Sequence, residues 1–230
     1  MAADDTSALV LGASGGLGDA LLTALRARRP PAEVVGLSRR DHALDITDEA
    51  SVVSAVAELT ATGRRFDTVI DATGILDVDG QRPEKAFREI TAAHMARSFA
   101  VNALGPALLL KHLMPMLIAD RRSVFASLSA RIGSIGDNRL GGWISYRASK
   151  AALNQVVRCA AIEAGRSHPH AIVVALHPGT VETELTRRYA RGRYTASPEV
   201  AAGQLLDVID GLDAADTGGF FDFEGQTVEW

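Results

Sequence analysis

The sequence predicts a single-domain α/β fold, a doubly wound parallel sheet of about seven strands with helices on both faces. Three observations predict it. Short apolar runs without strict polar alternation recur along the chain, as strands buried on both faces require. Amphipathic segments of helical period separate those runs. Gly12, Arg39, Asp45, Gly74, Ser129 and Pro178 all fall at or just after the ends of the runs, where open parallel sheets bind their ligands.

The 230 residues suit one domain, 1–230, and no repeat, low-complexity tract or linker divides them. Hydrophobic content of 47% and charged content of 23% fit a globular chain and exclude a disordered one. A net charge of -4 gives no electrostatic footprint for nucleic acid or an anionic membrane surface. Cys159 is the only cysteine, which excludes an intramolecular disulfide and a multi-cysteine zinc site. Its place in AALNQVVRCAAIEA predicts a buried, inert thiol. His94, His112, His168, His170 and His177 show no metal-ligand spacing, so no metal is expected. The acidic start MAADDTS resembles no signal peptide, and no apolar run reaches membrane-spanning length, so a cytoplasmic protein is expected.

Residues 7–12, SALVLG, form the first expected strand, and GASGGLG leads into the helix DALLTALRARR, stopped at Pro30 and Pro31. A glycine-rich turn from strand to helix lets backbone N–H groups approach a pyrophosphate, with Gly12, Gly16 and Gly18 at the close-approach positions. The second strand, EVVGLS, ends at Ser38, Arg39 and Arg40. An acidic residue there binds a ribose 2'-hydroxyl, whereas arginine accommodates a 2'-phosphate, so NADP(H) is favoured over NAD(H). HALDI, 42–46, reads as a third strand with Asp45 at its tip, and Thr47 as the cap of the helix that follows. FDTVIDA is the fourth strand, leading to Asp71–Gly74. A long helix is expected over about 92–118, with Asn102 inside it although asparagine is a poor helix former. SVFASLS is the fifth strand, SIGDNRLGGW a glycine-rich link, AIVVALHP the sixth strand and GGFFDFEG the seventh. The stretch of about 182–197, with Arg187, Arg188, Arg191 and Arg193, is a short substrate-side loop whose arginines read as solvated, before a last helix from Pro198.

Tyr146 and Lys150 stand four apart on a helix expected over about 142–164, and therefore on one face. A free phenol has a pKa of about 10, far from where proton transfer works best at neutral pH. An ammonium about 4 Å away at an effective dielectric of about 20 favours the phenolate by about 4 kcal/mol, or roughly three pKa units. The pair is therefore expected to carry general acid/base chemistry with a phenol brought near neutrality. Trp143 stands three residues earlier, as a pocket wall or as packing.

With GASGGLG (12–18), Asp45-Ile46, Asp71–Gly74, Asn102, Ser129, Tyr146 to Lys150 and PGTVET (178–183) in this order on these elements, the chain resembles the short-chain dehydrogenase/reductase family over its whole length. SARIGSIGDNRLGGWISYRASKAALN and GGFFDFEGQTVEW resemble its C-factor-like, or sniffer-like, branch. The resemblance implies a Rossmann-type domain that transfers a hydride between NADP(H) and a carbonyl or alcohol. Tyr146 would be the acid/base; Lys150 would lower its pKa and bind the nicotinamide ribose; Asn102 would hold a relay water; and a serine would bind the substrate oxygen. It also implies cofactor contacts from Gly12, Ser14, Gly15, Gly16, Leu17 and Gly18, from Ser38 and Arg39, from Asp45 and Ile46, from Ala72, Thr73 and Gly74, and from Pro178, Gly179, Val181 and Thr183. A homodimer or homotetramer formed through the two long helices is implied as well.

Three departures stand out. Asp71 replaces the family's asparagine, and a carboxylate only accepts hydrogen bonds. Gly15 stands where many NADP-dependent members carry a basic residue. Counting back from Gly133 puts Ala130 at the usual serine position, whereas counting forward from Asn102 favours Ser129, ahead of Ser134 and Ser127. A dinucleotide-binding signalling protein with little turnover is the alternative function, while an epimerase of the extended class is disfavoured because the chain is too short for its added substrate domain.

Overall fold

Continuous apolar runs cannot face water on either side, and the chain solves this by stacking them in one parallel sheet between two helical layers. The computed structural model describes residues 6–30 and 33–230, so the leader reading of MAADDTS in large part, and the stop at Pro31, lie outside the described residues. The strands are β1 (Thr6–Leu11), β2 (Val34–Leu37), β3 (Arg65–Asp71), β4 (Ser123–Leu128), β5 (Ala171–His177) and β6 (Phe220–Asp222). Their spatial order is β2-β1-β3-β4-β5-β6, and every pairing is parallel. The chain runs outward from β1 to β2 and returns to β3 on the other side, so the switch point lies between β1 and β3.

Successive residues of each strand feed opposite layers. Leu9, Phe125 and Val173 pack with Val52 and Leu59 of α3 (Glu49–Ala61), Leu109 and Leu113 of α5 (Gly105–Leu113), and Leu153 and Val157 of α6 (Ile144–Ser167). Their neighbours Val10, Ala126 and Val174 face the other way, onto Leu21 and Leu25 of α1 (Gly16–Arg28) and Leu205 and Ile209 of α8 (Pro198–Gly211). Each fully buried aliphatic or aromatic side chain in these layers contributes about 1.5–3 kcal/mol.

The sheet has six strands, not about seven, because HALDI is not a strand. His42 closes a short helix, α2 (Arg39–His42), Ala43 adopts φ 52, and the Asp45 carboxylate accepts from Thr47 N at 2.9 Å and Thr47 Oγ1 at 2.7 Å. A turn built from its own side chains leaves that backbone no extended edge to offer. The same bond occupies Thr47, so the cap of α3 is Asp48, which accepts from Ala50 N at 3.0 Å.

The long helix expected over 92–118 is α4 (Ala92–Phe99), a widened π turn over Ala100–Leu104, then α5 and a 3-10 turn ending at Met116. The helix of Tyr146 runs Ile144–Ser167, and the substrate-side loop contains α7 (Glu184–Ala190). Cys159 is exposed rather than buried, since the inward face of α6 is set by Tyr146, Lys150, Leu153, Val157, Ala161 and Ala164, out of phase with it. Among the described residues no helix is long and apolar enough to cross a membrane.

Leu153 is 1% exposed and ties α6 to the sheet one turn beyond Lys150. Leu153→Ala is expected to cost about 3 kcal/mol of unfolding free energy, read as a lower urea midpoint at unchanged slope.

Candidate active site

The glycine turn after β1 has no room for side chains. Gly12 has φ +76, and a Cβ on it would lie 2.9 Å from Ala72 O at the end of β3. A Cβ on Gly18 would lie 2.1 Å from Gly12 O. The turn therefore closes against β3 and delivers the start of α1 to the sheet's C-terminal edge. Gly15 caps α1 with no side-chain bond, leaving first-turn amides to an outside acceptor. That cradle fits the pyrophosphate of a dinucleotide, by main-chain donors and helix dipole alone.

One cleft gathers Gly15, Gly16, Leu17 and Gly18 from this turn, Ala72, Thr73 and Gly74 from the end of β3, and Ser129 from the end of β4. Tyr146 and Lys150 of α6, and Pro178, Gly179, Val181 and Thr183 beyond β5, complete it. Gly12, Ser14, Ser38, Arg39, Asp45, Ile46 and Asn102 do not line the cleft. Ala130, weighed at the serine position, and His177, just before the Pro178–Gly179 turn, line it too; Ile75, Leu128 and Leu185 do so without any signal in the sequence, because apolar residues carry no chemical signature.

Asn102 lies in the π turn with no exposure. Its Nδ2 donates to Ile75 O at 2.9 Å and Ser149 Oγ at 3.1 Å, and its Oδ1 accepts from Ile75 N at 2.9 Å. Both amide hydrogens are used, so the side chain clamps the chain beyond β3 onto α6.

Lys150 is 3% exposed and Nζ donates to Leu128 O at 2.8 Å. Burial lowers its pKa to about 8, opposed by the Asp71 carboxylate. Asp71, 1% exposed, is pushed up by burial against the pull of Thr73, which donates N–H at 3.0 Å and its hydroxyl at 2.5 Å, and of Lys150. The asparagine-to-aspartate departure thus gives the buried ammonium a carboxylate counter-charge. Tyr146 corrects an expectation: burial raises its phenol to about 12, and no charge on the protein offsets that. Loss of water around the phenolate is the cause of the rise.

Of the three serines weighed, Ser129 lines the cleft, but its hydroxyl is donated to Asn154 Oδ1 at 2.6 Å on α6. Ser134 Oγ accepts from Asp137 N at 3.0 Å, and Ser127 Oγ is buried without a hydrogen-bond partner. Ala130 takes the wall position beside Ser129. His177 lines the cleft as a neutral imidazole, its pKa lowered to about 4 by burial and by Arg131.

At the end of β2, Ser38 caps α2 and donates its hydroxyl to Asp41 Oδ2 at 2.7 Å. Asp41 brings a carboxylate to this strand end through the helical turn, with Arg40 at 3.3 Å against it. Arg39 is exposed and has no hydrogen-bonded or ion-paired partner among the described residues. Its charge and that of Arg97 help keep Asp45 ionised, after the hydrogen bonds from Thr47.

Over the front of the cleft the four arginines are exposed, as expected, and one of them ties α7 to the loop after β3. Arg188 pairs with Asp77 at 2.7 Å and Tyr189 donates its hydroxyl to the same carboxylate. The Trp143 ring stands edge-on to Tyr189 at 5.2 Å and to Tyr146 at 6.3 Å, packing between the two tyrosines beside the cleft rather than lining it. Among the described residues no cluster of His, Cys, Asp and Glu could hold a metal ion.

Comparison with known proteins agrees with this fold. Residues 22–207 match the protein family described as Enoyl-(Acyl carrier protein) reductase. The C-signal of Myxococcus xanthus is 38% identical over 146 residues, 63% of this chain and 84% of that protein. The carbonyl reductase Sniffer of D. melanogaster superposes with a TM-score of 0.84 at 21% identity, over 98% of this chain and 99% of that one. The NADPH-bound carbonyl reductase from chicken fatty liver superposes at 0.82 with 26% identity, over 97% and 98%.

The folded Lys150, at about 8, binds its proton less tightly than an unfolded lysine at 10.5. Between those values the unfolded chain holds more protons, so this group makes stability rise with pH across that window. The unfolding free energy of the wild type minus that of Lys150→Met is expected to rise on the order of 1–3 kcal/mol between pH 8 and 10.5, measured by urea titration at several pH values.

Proposed function

The chain belongs to the short-chain dehydrogenase/reductase family of NAD(P)-dependent oxidoreductases, and from that premise we propose an NADP-dependent, cytoplasmic carbonyl reductase or alcohol dehydrogenase. The observation that carries the reading is that Tyr146 and Lys150 share one cleft with the uncapped glycine turn. The bound cofactor supplies the hydride chemistry. Tyr146 gives its proton to the oxygen of the carbonyl being reduced, or takes it back in oxidation. A phenol at about 12 is protonated throughout the neutral range, the form that reduction needs. Lys150, with one N–H on Leu128 O, keeps two for the ribose hydroxyls of the bound cofactor. Asn102 keeps Ile75 and α6 in register below them.

With Ala130 on the wall and Ser129 donated to Asn154, Ser129 reaches the substrate oxygen only by exchanging that partner, so Tyr146 is the principal donor to it. Gly12, Ser14, Ser38, Asp45 and Ile46 belong to the adenosine half of the site. Arg39 is assigned to the 2'-phosphate, because its guanidinium is exposed, without a hydrogen-bonded or ion-paired partner among the described residues, and placed just beyond β2. The bound NADPH of the chicken carbonyl reductase supports that choice. The outer faces of α5 and α6, with Ile162 55% exposed, are assigned to a homodimer or homotetramer.

A second reading, a dinucleotide-binding signal protein with incidental turnover, has the identity to the Myxococcus C-signal in its favour. A purely binding role needs no proton-transfer group, so the two readings part at Tyr146.

Purified protein is expected to oxidise NADPH with some aldehyde, ketone or quinone in a substrate screen. Tyr146→Phe is expected to lower kcat/KM by about 10²–10⁴ and leave NADPH affinity within about two-fold; undiminished turnover in that variant removes the mechanism. Arg39→Ala is expected to weaken NADPH by about ten- to a hundred-fold, the worth of a charge-assisted bond, with little effect on NADH. Equal losses for both cofactors, read by fluorescence titration, overturn the 2'-phosphate assignment.

A further inference from the structure

The helix that carries Tyr146 does not cap itself. Its N-cap is Trp143, held at φ 50 and ψ 44 after Gly141 and Gly142, which also have positive φ. An indole accepts no hydrogen bond, and no cap bond from the Trp143 side chain exists. The acceptor comes instead from the loop between β3 and α4. Glu84 Oε2 accepts from Ser145 N at 3.1 Å, and Glu84 Oε1 accepts from the Ser145 hydroxyl. The Glu84 main-chain oxygen accepts from Trp143 N as well. Glu84 is 2% exposed and Ser145 is fully buried.

A charged side chain is rarely buried to this extent unless paired with strong donors. Here burial works against the Glu84 carboxylate, yet the Ser145 hydroxyl and main-chain donors hold its pKa below the usual value. The positive end of the α6 dipole favours the same charge. The contact adds nothing to either core layer. It fixes the two residues that flank Tyr146's turn, Trp143 and Ser145, and through the indole the ring contacts with Tyr146 and Tyr189.

We propose that Glu84 is a positioning residue for the reaction: it caps α6 across 61 residues of sequence and sets the height of the Tyr146 hydroxyl over the cleft. The proposal rests on the acid/base reading of Tyr146 for its kinetic arm only. A shift of about 1 Å in a reacting group costs on the order of a hundred-fold in rate, so a first turn displaced by about half that costs roughly ten-fold.

The test uses the isosteric Glu84→Gln, Ser145→Ala, and the double variant. With NADPH and benzaldehyde, Glu84→Gln is expected to lower kcat about ten-fold, with KM and NADPH affinity within about two-fold. The double variant is expected to lose no more than Glu84→Gln alone, as coupled partners do. By amide hydrogen exchange, Ser145, Tyr146 and Arg147 are expected to exchange about ten-fold faster in Glu84→Gln, with Leu153 to Ala161 unchanged. An unchanged kcat, losses that multiply in the double variant, or NADPH affinity falling in step with kcat overturns the proposal. Unchanged exchange at the first turn overturns it too, whatever the turnover. A wild type without turnover on any carbonyl of the substrate screen defeats the proposed function, and the exchange measurement then decides on Glu84 by itself.

Discussion

The site depends on one buried ammonium. Lys150 has lost nearly all its water, and what it receives in return is a single carbonyl, Leu128 O, and the field of Asp71. An uncompensated charge in that position would be very costly, so the elements that supply its compensation must stay where they are. Leu128 ends β4 and Asp71 ends β3, the two middle strands, whose parallel register sets Asp71 beside Ser127, next to Leu128. The sheet edge is in this sense built around the lysine. Asn102 adds the third side, fastening Ile75 to α6 at Ser149, one residue before Lys150.

The electrostatics of the pair run opposite to the simple expectation that an ammonium makes its neighbouring phenol acidic. Both groups are deeply buried, and burial moves each toward its neutral form, the phenol to about 12 and the ammonium to about 8. The phenol is thus poised as a proton donor. Oxidation of an alcohol asks more of it, since a phenolate must form in a dry setting. Asp71 keeps Lys150 charged more readily than the family's asparagine would, at the cost of a second titrating group in the same interior.

Around this centre the substrate side is held by contacts between distant segments. Asp77 ties down α7 through Arg188 and Tyr189, Trp143 stands against both tyrosines, and Glu84 caps the helix beneath them. Three of these partners, Asp77, Glu84 and Trp143, lie in loops. Their order comes from buried or ion-paired polar contacts rather than from core packing.

Much of the fold was legible in the residues themselves. Runs such as SVFASL, buried at every position, announce a strand covered on both faces, and the glycine turn announces a close backbone approach that Gly12 and Gly18 then require sterically. HALDI misled because a five-residue apolar segment has no decisive period; its fate was settled by Asp45 and Thr47 bonding to each other. The phase of α6 was in the sequence all along, and following Leu153, Val157 and Ala161 around the helix turns Cys159 outward.

The sequence alone therefore determined the parallel α/β class, the glycine cradle and the shared helical face of Tyr146 and Lys150, because these follow from local sterics and periodicity. Only the tertiary structure decided that Ser129 turns to Asn154, that burial lifts the Tyr146 phenol, and that Glu84 completes a helix 61 residues away. Those outcomes turn on desolvation and on which polar group is left without a partner once the core has closed, and both are properties of neighbours far apart in the chain.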